Sequence, residues 1–173
     1  RNPFPVATAR EKVSGTDLTM TASSGLRFEN SVGIIDVASN VKFTYTSNII
    51  TDSNSLSFLS GIVKKGAGTF VFGGTGIMNN ADSHSAGGAV NSLLRIDEGT
   101  FSVTSTSGTA LGDTNVSNES ITLNGGNFSW DTDNTGNQGQ LNKGLNLTAN
   151  GGGLDNNRAT TGAGINRSAW GFG

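Results

Sequence analysis

Gly61-Ile62-Val63-Lys64-Lys65-Gly66-Ala67-Gly68-Thr69-Phe70-Val71-Phe72, then Leu94-Arg95-Ile96-Asp97-Glu98-Gly99-Thr100-Phe101-Ser102-Val103, then Ile121-Thr122-Leu123-Asn124-Gly125-Gly126-Asn127-Phe128-Ser129-Trp130 are three versions of one phrase. Each contains a glycine, a Thr or Asn, and two apolar residues flanking one other residue. In the last two versions an earlier apolar-x-apolar triplet precedes the glycine. Alternation with period two puts both apolar side chains on one face of a strand, and the glycine permits the turn between triplets. Gly68, Gly99 and Gly126 recur about 30 residues apart, the spacing of a solenoid.

The same rhythm extends to both sides. Upstream come Leu18-Thr19-Met20, Leu26-Arg27-Phe28, Ile35-Asp36-Val37 and Val41-Lys42-Phe43-Thr44-Tyr45, with Ala38-Ser39-Asn40 as a corner. Downstream is Leu145-Asn146-Leu147, followed by a glycine turn and Leu154. Enrichment in Thr, Val, Ile and Phe favours strand, and no segment keeps the i, i+3, i+4, i+7 spacing of a helix. Polar excursions, Gly73 to Asn91, Thr104 to Asn118 and Asp131 to Lys143, are expected to protrude, with Leu111 placed to anchor the second. The fold expected is an all-β, right-handed parallel β-helix of about six or seven rungs with protruding polar loops. Residues 1–12, with Pro3 and Pro5, are expected to form an extended N-terminal arm. Residues 13–157 form the solenoid, and 158–173 a C-terminal tail or the start of a further rung.

Composition agrees. The 173 residues are 34% hydrophobic and carry 26 glycines, and only 14% are charged, well below the roughly 25% of ordinary soluble domains. Such a composition suits either a disordered chain or a β-solenoid, and evenly spaced apolar triplets favour the solenoid. A formal net charge of −2 supplies no basic footprint, so nucleic acid is not an expected partner. The absence of cysteine removes disulfides and thiolate metal sites and suits export through a bacterial envelope. No apolar run is long enough for a membrane-spanning helix, so no membrane insertion is expected of this segment. A start at Arg1, without Met or a signal peptide, is read as processing or as a piece of something longer.

The phrase Lys64-Lys65-Gly66-Ala67-Gly68-Thr69-Phe70-Val71-Phe72-Gly73-Gly74 resembles the repeat of autotransporter passenger domains, which runs Lys-x-Gly-x-Gly-Thr-apolar-x-apolar-x-Gly. Gly99 to Val103, Leu123 to Trp130 and Lys143 to Leu147 are similar to that repeat, so the resemblance covers about residues 61–155. It implies a secreted or surface-displayed β-helix, often adhesive, in the extracellular space or on a bacterial cell surface. The family's membrane barrel, protease triad and signal sequence are not seen here. The same style of repeat suits a phage or viral fibre, which would place the chain in a virion.

No catalytic, cofactor-binding or metal site is expected. His84 stands alone in a Ser/Asp/Asn-rich stretch, and neither glycine cluster precedes a Lys-Ser/Thr, so neither is a phosphate loop. Asp131 and Asp133 lie one strand period apart and Trp130 adjoins them. They are the candidate glycan contact, the aromatic ring stacking on a sugar beside paired carboxylates, as in β-helix enzymes that cut polysaccharides. The competing reading turns Trp130 inward as the last position of its triplet, with the aspartates opening a polar loop. The expected role is therefore structural or adhesive, without catalysis. Its partners would be neighbouring copies meeting at the solenoid ends, or surface glycans.

Overall fold

A computed structural model of the chain describes residues 8–21, 25–28, 32–50, 61–74, 91–105, 111, 119–131 and 144–156. Among these residues there are strands and no helix. Fourteen strands are present: β1 (Thr8–Val13), β2 (Leu18–Met20), β3 (Leu26–Arg27), β4 (Val32–Val37), β5 (Lys42–Tyr45), β6 (Ile49–Ile50), β7 (Gly61–Lys65), β8 (Thr69–Phe72), β9 (Asn91–Ile96), β10 (Thr100–Val103), β11 (Glu119–Leu123), β12 (Asn127–Trp130), β13 (Gly144–Leu147) and β14 (Gly153–Asn156). They alternate between two sheets. Sheet A runs β1-β4-β7-β9-β11-β13, sheet B runs β2-β5-β8-β10-β12-β14, and β3 with β6 forms a two-stranded third sheet. All pairings are parallel. The chain is a β-solenoid, as the repeated phrase implies.

Register explains why the phrase repeats. In sheet B, Phe43 lies beside Phe70, Phe70 beside Phe101, Phe101 beside Phe128 and Phe128 beside Leu154. The four phenylalanines form one inward column, with successive ring centroids 5.3, 5.1 and 6.4 Å apart. A second column follows two residues on: Met20, Tyr45, Phe72, Val103 and Trp130. Facing them from sheet A are Ile62, Leu94, Ile121 and Leu145 in one column, and Ile35, Lys64, Ile96, Leu123 and Leu147 in another. A strand pair cannot bury its own apolar face, so each depends on the pairs above and below. Leu111 is buried with this core, as expected of an anchor.

The corners leading from sheet A to sheet B are three to five residues long (14–17, 38–41, 66–68, 97–99, 124–126 and 148–152). From 66 to 126 they pack on one another so closely that glycine is required at Gly68, Gly99 and Gly126. Gly99 adopts φ +63°, and a Cβ there would stand 2.3 Å from the Gly68 carbonyl oxygen, too near for any side chain. Asn40 takes φ 60° at the corner read as Ala38-Ser39-Asn40, the left-handed conformation asparagine tolerates. Gly33 interrupts the Ile62 column for a different reason: the Phe28 ring occupies the space a Cβ would need.

The solenoid begins earlier than expected. Thr8 to Lys12, assigned from sequence to an N-terminal arm, belong to β1 and pair in register with β4. Their charges, Arg10-Glu11-Lys12, make the segment read as solvated, which is what an edge strand is. The remainder of the arm, residues 1–7, and the tail, 158–173, lie outside the described residues, as do His84 and Asp133.

Phe101 has an aromatic neighbour on each side. Phe101→Ala should lower unfolding free energy by about 3–5 kcal/mol, and Phe101→Leu by less than about 1.5 kcal/mol. Urea denaturation followed by circular dichroism checks both values.

Candidate functional site

The polar groups that stand out lie at the tight corners. Lys64 is the first. Its position in β7 places it between Ile35 and Ile96 in an inward column, and it is 0% exposed. Its polarity gives no hint of burial; only the alternation from Ile62 puts it inside, and that parity went unused in the sequence reading. Its ammonium donates to three backbone carbonyls: Gly66 at 2.7 Å, Lys65 at 2.8 Å and Glu98 at 3.2 Å. Three donors meet three acceptors from two adjacent corners. Burial pushes the Lys64 ammonium down from its ordinary 10.5 to about 8, opposed by the carboxylates of Asp36 and Glu98. The arrangement is a structural clip that joins one corner to the next.

Outside the same corners runs a polar ladder. Lys12 is in register with Asp36, and Asp36 with Lys65. Lys65 Nζ lies 3.9 Å from Asp97, which also accepts from Arg95 Nε at 2.6 Å and Asn124 Nδ2 at 2.7 Å. Asn124 Oδ1 in turn accepts from Thr148 Oγ1 at 2.7 Å and Asn150 Nδ2 at 2.9 Å. Arg10 also pairs with Asp36. Positive and negative side chains thus alternate along the axis before giving way to amide and hydroxyl groups. On a surface of this kind each pair contributes at most about 1 kcal/mol, so the ladder chiefly sets register.

The sequence candidates fall on the other side. Trp130 is the last inward residue of β12, 7% exposed, with its ring centroid 6.1 Å from that of Phe128. Its indole N–H has no acceptor among the described residues. A ring so enclosed offers no face for a sugar to stack on, so the inward placement holds. Asp131 follows the strand, half-buried. One of its carboxylate oxygens accepts from Ser102 Oγ, the other from Ser129 Oγ at 2.7 Å. Those serines are buried and adjacent in register, so Asp131 ties β10 to β12. Its placement beside Asp133 falls outside the described residues. Among the described residues no group of three or more His, Asp or Glu is placed to hold a metal ion.

The clip makes a pH-dependent prediction. Below pH 8 Lys64 is charged in folded and unfolded chains alike, and the burial penalty is fully present. Between about 8 and 10.5 the folded chain releases the proton while the unfolded chain keeps it, so stability rises with pH by up to about 1.4 kcal/mol per unit. Lys64→Met leaves carbonyls without donors and should cost about 1–3 kcal/mol at pH 7. The gap between wild type and Lys64→Met should widen as pH rises from 8 to 10. Urea midpoints of the two proteins across that range check it, and a constant gap would refute the assignment.

No protein-family model, curated protein or solved structure matches the chain.

Proposed function

We propose that this chain is an extracellular structural or adhesive β-solenoid, a surface-displayed passenger-type segment or a fibre subunit, that acts by contact and not by catalysis. One observation carries the reading. Every long connection leaves a sheet B strand and returns to a sheet A strand, over 21–31, 46–60, 73–90, 104–118 and 131–143, or 11 to 18 residues each, whereas the opposite corners are only three to five long. Length variation is thus confined to one side of a regular scaffold. In solenoids, insertions gathered on one face commonly form the contact surface. These segments are rich in Ser, Thr, Asn and Gly, a composition suited to hydrogen bonding with glycans or with neighbouring copies. The resemblance to autotransporter passenger repeats supports the same location and role. Among the described residues the last strands of each sheet have a neighbour on one side only, a geometry that favours self-association.

The test separates scaffold from contact surface. Replacing residues 75–90 with a short Gly-Ser linker should leave the β circular dichroism signal intact and shift thermal unfolding by only a few degrees, since loop closure entropy changes slowly with length. The same replacement should reduce adhesion of chain-coated beads to polysaccharide-coated surfaces several-fold. Adhesion that is absent in the parent chain, together with sedimentation that does not vary with its concentration, would sink the proposal. Cleavage of those polysaccharides by the parent chain would favour an enzyme instead.

A further inference from the structure

Two Asn-Gly pairs occur in the sequence, Asn124-Gly125 and Asn150-Gly151. The fold stacks them. They sit in the tight corners 124–126 and 148–152, which follow β11 and β13, strands paired in register. Gly125 N–H donates to the Gly151 carbonyl at 2.8 Å, and Asn150 Nδ2 donates to Asn124 Oδ1 at 2.9 Å. Asparagine is a chemically labile residue, and a following glycine opens a route of reaction. With no Cβ in the way, the glycine backbone nitrogen can reach the asparagine Cγ. A bond forms between them, the Cγ–Nδ2 bond breaks, and the side-chain nitrogen leaves as ammonia with the proton that the backbone nitrogen gives up. Water then opens the cyclic imide at either carbonyl, leaving aspartate or isoaspartate. Water is the sole co-reactant, and nothing is oxidised or reduced.

The two pairs are held to different degrees. Asn124 is half-buried, and all its reacting groups are tied. Its Nδ2 donates to Asp97 Oδ1 at 2.7 Å; a carboxylate only accepts, so this contact fixes which way the amide points. Its Oδ1 accepts from both Thr148 Oγ1 and Asn150 Nδ2. Its nucleophile, Gly125 N, is held by the neighbouring corner through Gly151 O. A Cβ at Gly125 would stand 2.9 Å from the Asp97 carbonyl oxygen, so that corner is crowded as well. Asn150, by contrast, is exposed. Among the described residues its side chain is tied to Asn124 alone. Its nucleophile, Gly151 N, is bound only within its own turn, by Thr148 O at 2.9 Å, and nothing lies within 4 Å of the place a Gly151 Cβ would take. Local opening of that single turn frees Gly151 N, whereas Asn124 reacts only after two corners part.

We propose that Asn150 is a spontaneous deamidation site and that its intact amide protects Asn124. Once Asn150 has reacted, an acceptor replaces the donor that faced Asn124 Oδ1. Where the product is isoaspartate, the backbone of the corner that holds Gly125 N is lengthened by a carbon. Asn124 is thereby released to react in its turn. Its product sets a carboxylate against Asp97, like charge on like charge, at the point where the outer ladder is otherwise neutral. The ladder thus carries an ordered, irreversible change within its own corners.

Ageing the full chain in mildly alkaline buffer, followed by peptide mapping with mass spectrometry, tests the order. Each event is read as the replacement of NH2 by OH in the mass of its peptide. Asn150 should convert at least about tenfold faster than Asn124. In Asn150→Asp, Asn124 should convert several-fold faster than in the parent chain. In Asn150→Gln, which keeps an amide but must close a larger ring to react, Asn124 should stay slow. Conversion of Asn124 as fast as that of Asn150 overturns the site, and so does an unreacted Asn150 after a free peptide of residues 148–154 has fully converted. Equal Asn124 rates in Asn150→Asp and the parent chain overturn the protection. The ranking of the two sites in the parent chain needs no variant, so it decides even where a variant fails to fold.

Discussion

Parallel, in-register pairing is the constraint from which the rest follows. Every residue of a strand sits about 4.8 Å from the residue at the same position one coil away. An inward position is therefore a column, and its occupants must pack on one another. Flat rings stacked face to face at that spacing would leave a gap beyond van der Waals contact. The phenylalanines close it by tilting: Phe43 and Phe70 lie at 56°, and Phe70 and Phe101 at 60°. Phe101 and Phe128 stay nearly parallel at 16°, but their centroids are offset to 6.4 Å. Offset and edge-on arrangements are those the aromatic quadrupole prefers, so the geometry imposed by the backbone agrees with the electrostatics of the rings.

The same constraint governs the polar groups. Because corners also stack, their carbonyls are carried inward where no strand partner meets them. Lys64 answers this with three donors from one side chain, and glycines answer it with backbone that approaches without a Cβ. Outside, stacking like on like would bring equal charges together. The column through Asp36, Lys65, Asp97 and Asn124 avoids this by alternating sign and then becoming neutral. The cation within and the ladder without are two answers to one repeated geometry.

Those features legible in the sequence were the ones with period two or a recurring glycine. The column of Phe70, Phe101 and Phe128, the glycine corners, the Asn40 turn and the Leu111 anchor could all be read from residue order. Features that depend on a partner some 30 residues away could not. Lys64 reads as a surface lysine because polarity alone places lysine outside; only its parity with Ile62 puts it within. Asp131 reads as an acid next to an aromatic, yet its oxygens are taken by serines of two different strands, a contact with no local signature. The edge strand β1 is hidden by the charges that suit it to an edge. Leu26-Arg27-Phe28 keeps the strand rhythm, but the pairing of Leu26–Arg27 with Ile49–Ile50 as a third sheet has no local signature.

A core assembled in columns separates what holds the molecule together from what it presents. The inward positions are fixed by their neighbours above and below, and the tight corners by glycine and by the ladder. The return side is held at fewer points, by Phe28, Ile49 and Leu111 in the core and by the β3–β6 pair, and elsewhere a connection need only bring its ends back to the next sheet A strand. Its length can change at little entropic cost without disturbing a single column. That is why the phrase repeats so faithfully from Gly61 to Trp130 while the segments between its copies share neither length nor sequence. A selective pressure on binding would act on those segments, and one on stability would act on the columns. The division of the chain into a regular rhythm and irregular intervals is the physical basis for proposing contact on one side of the solenoid.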